Sequence, residues 1–418
     1  MAEIPVIQVL NKEHYFAQKL VSLPNEVPYS DLAPSSLRLK TKVLSLTSNN
    51  LTYTKLGFLL NLWDVHPLPP TTPAPYNDAS KYGLINAWGY MEVLESTHPS
   101  VEKGSYLWGY VPIGTLAQDL EVKNANVAGQ VLVTSEYRKH IMPIYNRYLV
   151  ISPSAGLAEE IEKKTNSPAY EALVRIMFET AYLMNRFAMP GDSKELVHPG
   201  MDPRIPWEPE TADLSGATVI CFAPGSKVGM CFAHQLKQNR PRAKPVRVVA
   251  ATSEVSQPFV EETSLYDEIV LSTSSPTEFL SKLGVQSGDK VVLIDFGGRG
   301  KVGARWTTEI KEAGYSNLLQ VGIGQEISET SQADVLELFS TGNPSMLMNA
   351  NDMRNRAMEL VGEKEYFDEL NEAWLELKKQ GFKGFQVNWG EGMEAVEKGW
   401  DSICKSEIKT SVGLAYKL

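Results

Sequence analysis

Cysteine is scarce in this chain: three residues in 418, at Cys221, Cys231 and Cys404. That count excludes a disulfide framework and a four-cysteine zinc site, and neither the cysteines nor the six histidines show ligand spacing. Long apolar runs are missing as well. No window approaches the ~18–20 apolar residues of a membrane span, and the opening MAEIPVIQVLNKEHYF has neither the charged nor the apolar region of a signal peptide. A basic excess is also lacking: 40 Lys and Arg against 50 Asp and Glu leave a net charge of −10, which argues against a general nucleic-acid or anionic-membrane binder. These absences lead to the expectation of a cytoplasmic protein that holds no metal and has no nucleic-acid or membrane partner. The remaining composition, 43% hydrophobic with a mean hydropathy of −0.21, is that of an ordinary globular chain long enough for two domains.

A complete glycine fingerprint is absent too, but part of one is present. The stretch TVICFAPGSKVGMCFAHQL, 218–236, reads as a buried strand, a tight turn and an amphipathic helix. A diphosphate needs donors, and the first turn of a helix leaves backbone N–H groups unpaired. In the spacing G-x-G-x-x-G, Gly229 survives, while Ala223 stands at the first glycine and Lys227 near a second. Further apolar strands follow at 246–253, 267–271, 289–298 and 317–324, with a helical piece at 258–262, so the series predicts a parallel sheet with helices on both faces. The second strand ends in Thr252 and Ser253 where an Asp or Glu would select NAD. These hydroxyls leave room for a 2′-phosphate, with Lys227 or Arg247 to supply charge, and favour NADP. The competing reading makes Thr252 and Ser253 a helix cap and Lys227 a solvated loop residue.

The first half of the chain has little helical periodicity. Residues 36–46 alternate as a strand with one wet face, 47–57 form a polar turn leading into a short helix, and 82–94 and 104–117 read as barrel strands bent at glycines. The proline-rich segment at 64–77 is a surface loop, helical periodicity returns at 169–187, and a second proline-rich stretch at 190–209 separates that helix from the strand–helix series. His66, His98 and His198 each precede a proline and read as loop residues, while His234 lies in the helix after the glycine turn; all four read as structural.

Taken in order, VLSLTSNNLTYTKLG, VEKGSYLWGYVPIGTLAQ, the ETAYLM helix and the strand–turn–helix unit resemble the medium-chain dehydrogenase/reductase superfamily, particularly its zinc-free quinone and enoyl reductases. Within it, NANDMRNRAMEL, EAWLELKK and GMEAVEKGW look closest to the group known as domain of unknown function 2855. The resemblance implies an α/β protein with a GroES-like β-barrel catalytic domain, 1–170 and 345–418, and a Rossmann doubly wound parallel-sheet domain, 171–344, carrying a Pro-rich insertion at 190–209. It implies an NADP-dependent, zinc-independent oxidoreductase reducing an activated C=C or C=O bond of a small or carrier-bound substrate, as a monomer or homodimer. By position, Tyr53 matches a tyrosine on the nicotinamide side, and Thr180 a threonine near that ring. Gly225, Ser226, Lys227, Val228 and Gly229 match the pyrophosphate loop, and Gly297, Gly298, Gly322 and Gly324 match strand ends bordering the cofactor.

Such a reduction needs orientation, a hydride donor and a group that stabilises or protonates the developing enolate. Tyr53 is a candidate donor, and Asn50 or Lys55 a candidate for binding the carbonyl oxygen. Against these stand a packed aromatic at Tyr53 and a turn or cap role for Asn49 and Asn50. The altered loop also leaves open a non-redox cyclase or lyase on the same scaffold, or a non-catalytic binding protein.

Overall fold

The computed structural model describes residues 4–23, 29–324, 328–331 and 346–418. Its two largest sheets obey different sequence rules. Thr218–Phe222 is buried at every position and Val291–Phe296 at all but Asp295, as strands covered by helices on both faces must be. They form the centre of a six-stranded parallel sheet in the order Glu268–Leu271, Arg247–Thr252, Thr218–Phe222, Val291–Phe296, Leu318–Gly324, Met346–Leu347. Chain order therefore reverses between Thr218–Phe222 and Val291–Phe296, which creates a crevice outside their carboxyl ends. This is the Rossmann arrangement expected from the strand–helix alternation.

The other sheet closes on itself. Ser36–Leu46, Asn86–Ser96, Tyr106–Pro112, Arg147–Ile151, Gln130–Val133 and Gln118–Asn124 pair antiparallel in that order, and Gln118–Asn124 returns to pair with Ser36–Leu46. The result is a six-stranded barrel of GroES-like type. Its glycines sit where neighbours leave no room: a Cβ at Gly89 would stand 2.0 Å from the Val43 carbonyl oxygen, and one at Gly109 would enter the Tyr148 ring at 2.3 Å. The two barrel strands read from 82–94 and 104–117 are Asn86–Ser96 and Tyr106–Pro112. Tyr82–Gly83 instead joins a small sheet with Val6–Asn11 and Gln18–Ser22.

Two features tie the halves together. The last strand, Val412–Lys417, pairs antiparallel with Ser36–Leu46 and parallel with Gln386–Glu391. The long helix Asn166–Leu183 then runs between barrel and sheet with most of its surface buried, and Ser45 Oγ donates to its Ala172 carbonyl at 2.7 Å. Buried carboxylates on this helix are all partnered, as burial requires. Glu171 accepts from Trp374 Nε1 and Lys378 Nζ, both at 2.9 Å, and pairs with Arg175; burial opposes its charge, yet these cations hold its pKa below the usual carboxylate value. Glu179 accepts from Tyr366 Oη at 2.7 Å and pairs with Arg354. The α-helix stops at Leu183, earlier than the expected 187, and Met184–Ala188 continues as a single π turn before Pro190.

Candidate active-site cleft

After Phe222 the chain turns through Ala223, Pro224 and Gly225 into the helix Lys227–Gln238, capped by Ser226, whose Oγ accepts from Gly229 N at 3.2 Å. Ala223 holds φ +52, the left-handed conformation that explains why glycine is usual there, and pays the strain of a Cβ. Gly229 has no such freedom: a Cβ there would lie 3.1 Å from the carbonyl oxygens of both Ala223 and Pro224. Gly225 is flanked by the C-terminal loop, since its Cβ would stand 3.2 Å from Thr410 Oγ1.

This turn is the floor of a cleft of about 190 Å³. One wall comes from Thr47, Ser48, Asn49 and Thr52, and another from Phe296, Arg299, Ile323 and Gly324. A third wall, from Ile403 to Val412, was not singled out from the sequence. Among the described residues, three cations line the cleft, Lys227, Arg299 and Lys409, and no carboxylate does. Lys227 is the first helical residue, and its ammonium lies 5.5 Å from the centre of the Phe385 ring. Loss of hydration pushes its pKa down to about 8, against a smaller opposing effect of Cys231. The lysine is thus a cleft residue rather than a solvated loop residue.

Helical phase divides the segment Ser48–Lys55. Ser48, Asn49 and Thr52 face the cleft, whereas Asn50, Leu51, Tyr53 and Thr54 are buried. Asn50 completes a capping box with Thr47 and donates from Nδ2 to the Asn86 carbonyl at 3.1 Å. Tyr53 packs edge-on against Tyr110 and Tyr145, and its oxygen accepts from Trp88 Nε1 at 2.7 Å. Burial drives its pKa up, although hydrogen bonding from Trp88, Asn49 and Tyr145 works the other way. Lys55 reaches Ser328 Oγ at 3.5 Å and lies outside the cleft lining.

Among the other expected cofactor residues, Gly225, Ser226, Lys227, Val228 and Gly324 are brought together in the cleft. Gly229 supports the turn from behind. Gly297 and Gly298 donate their amides to Asp295 Oδ1, at 2.9 and 2.6 Å, so those donors are already used. Gly322 packs on Leu347, where a Cβ would approach Cδ2 to 2.9 Å. Thr180 donates to the Ile176 carbonyl at 3.2 Å and does not line the cleft, whereas Met177, one turn earlier, does. Thr252 is buried at its strand end, and Ser253 accepts from Ser256 N at 3.3 Å in the turn before the helix Gln257–Thr263, whose N-cap is Ser256. Arg247 requires a correction. It begins its strand rather than ending it, and donates to the Leu283 carbonyl at 2.9 Å, so it sits at the wrong end of the sheet to meet a 2′-phosphate.

The family model described as protein of unknown function, DUF2855, matches residues 44–409. The chain belongs to this family. No curated protein matches it in sequence. Among solved structures, CurA from Vibrio vulnificus in complex with NADPH superposes with a TM-score of 0.54 at 13% identity, covering 99% of this chain and 98% of that one. The Etr1p/NADP/crotonyl-CoA complex gives 0.53 at 14% identity, with both chains covered completely (100% each). A mutant form of enoyl thioester reductase from Candida tropicalis gives 0.52 at 14%, again over 100% of both. The DUF2855 chain therefore has the medium-chain dehydrogenase/reductase fold, as its motifs implied. Among the described residues, no group of three or more His, Cys, Asp or Glu is placed to hold a metal, and no helix is long and apolar enough to cross a membrane.

Proposed function

We propose that this protein is an NADP-dependent, zinc-independent oxidoreductase that reduces an activated C=C or C=O bond of a small or carrier-bound substrate. One observation carries the reading. In a chain of net charge −10, the crevice at the chain reversal opens on a helix start and is lined, among the described residues, by three cations without a carboxylate. Such a lining favours a polyanion such as a dinucleotide phosphate. The fit is supported by the positive φ at Ala223, which preserves the turn, and by Gly229, whose missing side chain lets the helix approach it. The hydroxyl ending of Arg247–Thr252 favours NADP over NAD, and two of the similar structures are described as NADPH and NADP complexes.

When bound, a nicotinamide dinucleotide supplies hydride chemistry. The protein's own part is to orient and to polarise. Lys227, Arg299 and Lys409 hold negative charge, and the apolar wall of Met177, Phe296 and Ile323 limits water. Asn49 and Thr52 present polar groups to a carbonyl oxygen. Tyr53 stands behind Asn49, whose amide donates towards the phenol oxygen, so in this reading the tyrosine orients that amide. Asn50 holds the cap, and Lys55 and Thr180 are left with peripheral roles. In this reading 1–170 with 345–418 is the catalytic unit and 171–344 the dinucleotide-binding unit.

Thr410, pressed against Gly225, favours a second reading in which the phosphate turn stays covered and the scaffold serves a non-redox lyase or cyclase, or a binding protein. Titration of the full chain with NADPH and NADH, followed by calorimetry, separates these. NADPH is expected to bind at least tenfold more tightly, a difference of about 1.4 kcal/mol. Equal affinities overturn the NADP preference, and no binding of either nucleotide moves the second reading ahead.

A further inference from the structure

A second cavity, of about 480 Å³, lies at the other end of the helix that starts in the cleft. The helix Lys227–Gln238 has 12 residues, which separates the two sites by roughly 18 Å. The walls come from Asn185 and Arg186 of the π turn, Asp192 and Glu195 of the proline-rich 190–209 segment, Gln235 and Asn239–Arg242, and Glu369. The proline-rich segment, which the dinucleotide reading does not use, is therefore part of a cavity wall.

One buried side chain there lacks the hydrogen-bond partners that burial demands, and a second is a hydrogen-bonded cation outside any ion pair among the described residues. Gln235 is 0% exposed, and neither its Oε1 nor its Nε2 has a hydrogen-bond partner among the described residues. Arg240 is 2% exposed, and among the described residues its guanidinium donates to Asn185 Oδ1 and to the carbonyls of Asn185, Met189, Pro190 and Ala243, with no carboxylate in hydrogen-bond contact. Arg242 adds a second cation at the exposed rim. Opposite signs are left over as well. Arg186 sits between Glu195 at 3.1 Å and Glu369 at 3.0 Å, so that trio carries a net −1, and Asp192 adds another. Among the described residues the lining thus offers two cations outside any ion pair, two surplus negative charges and an unpaired amide.

We propose that this cavity is a second ligand site, for a small zwitterion of the α-amino-acid kind. Its carboxylate would meet Arg240 and Arg242, its ammonium the surplus of Asp192, Glu195 and Glu369, and a polar group the Gln235 amide. A plain anion would face the carboxylates and a plain amine the guanidinium groups, each at a cost in desolvated like charge. The site does not depend on what occupies the cleft.

Thermal unfolding of the full chain with the common L-α-amino acids at millimolar concentration tests the site, because a ligand that binds only the folded state raises Tm. At least one is expected to give a saturable rise, while its N-acetyl and methyl-ester forms, each lacking one charge, do not. Arg242→Ala removes an exposed side chain and is expected to weaken that binding about tenfold or more. Gln235→Met, close in volume, tests the buried amide and is expected to weaken it as well. The proposal is overturned if no amino acid raises Tm, which leaves a water-filled cavity, if the blocked forms act as well as the parent compounds, or if both variants bind like the original protein.

Discussion

The barrel and the phosphate turn both rely on small residues, for opposite reasons. At Gly89 and Gly109 the backbone is ordinary and the space is occupied, by the Val43 carbonyl and the Tyr148 ring. At Ala223 the space accommodates a Cβ and the backbone is the unusual part, with φ +52. A filled space admits no side chain, whereas an unfavourable dihedral costs ~1–2 kcal/mol and can be tolerated. That difference explains how the turn departs from the glycine fingerprint without losing its shape, and why the barrel keeps its glycines.

The hardest test of the contrast is Gly89→Val. It is expected to destabilise the protein by about 3 kcal/mol or more in urea unfolding, and a loss below about 1 kcal/mol would mean that the barrel yields as the turn does. Next in size, Lys227→Ala is expected to weaken NADPH binding by about 1–3 kcal/mol without lowering the Tm of the ligand-free protein. An unchanged affinity would place the lysine's charge away from the phosphates. The same residue sets a pH dependence. With a folded pKa of about 8 against 10.5 unfolded, NADPH affinity should fall as pH rises through 8. Over the same interval, from 8 to 10.5, the unfolded lysine retains the proton that the folded one has lost, so this group's contribution to stability rises with pH.

Tyr53→Phe separates packing from catalysis in the barrel. Removing the acceptor of Trp88 Nε1 should cost about 1–2 kcal/mol of stability. Turnover lost well beyond that of the Asn49→Ala variant, with stability intact, would restore Tyr53 as the proton donor. The smallest effect is expected at Ala223→Gly, which relieves the positive φ and should stabilise by about 0.5–1 kcal/mol. Destabilisation there would show that the alanine side chain contributes packing that outweighs its strain.

Much of the fold was legible because it follows from short-range pattern. Alternation in 36–46 marks the strand Ser36–Leu46, and the apolar runs after 218 mark strands within two residues of their observed ends. The site was legible only in part. Gly225–Val228 were found because a helix start is a local feature, but Tyr53 and Asn50 were preferred over Asn49 and Thr52 on chemical type, when helical phase was the deciding signal. Arg247 was chosen for its charge, although its place at the beginning of a strand already set it at the far end from the crevice.

The amino-acid sequence by itself determined the period of each element and the helix start after the strand at 218, since each depends on neighbours within one or two turns. Only the tertiary structure decided which side of Ser48–Lys55 meets the cleft, and that Lys409 and Thr410 return beside Gly225. It also decided that Lys227 loses its hydration beside Phe385. Those outcomes depend on contacts between segments far apart in the chain, and on water excluded by packing that no local pattern records.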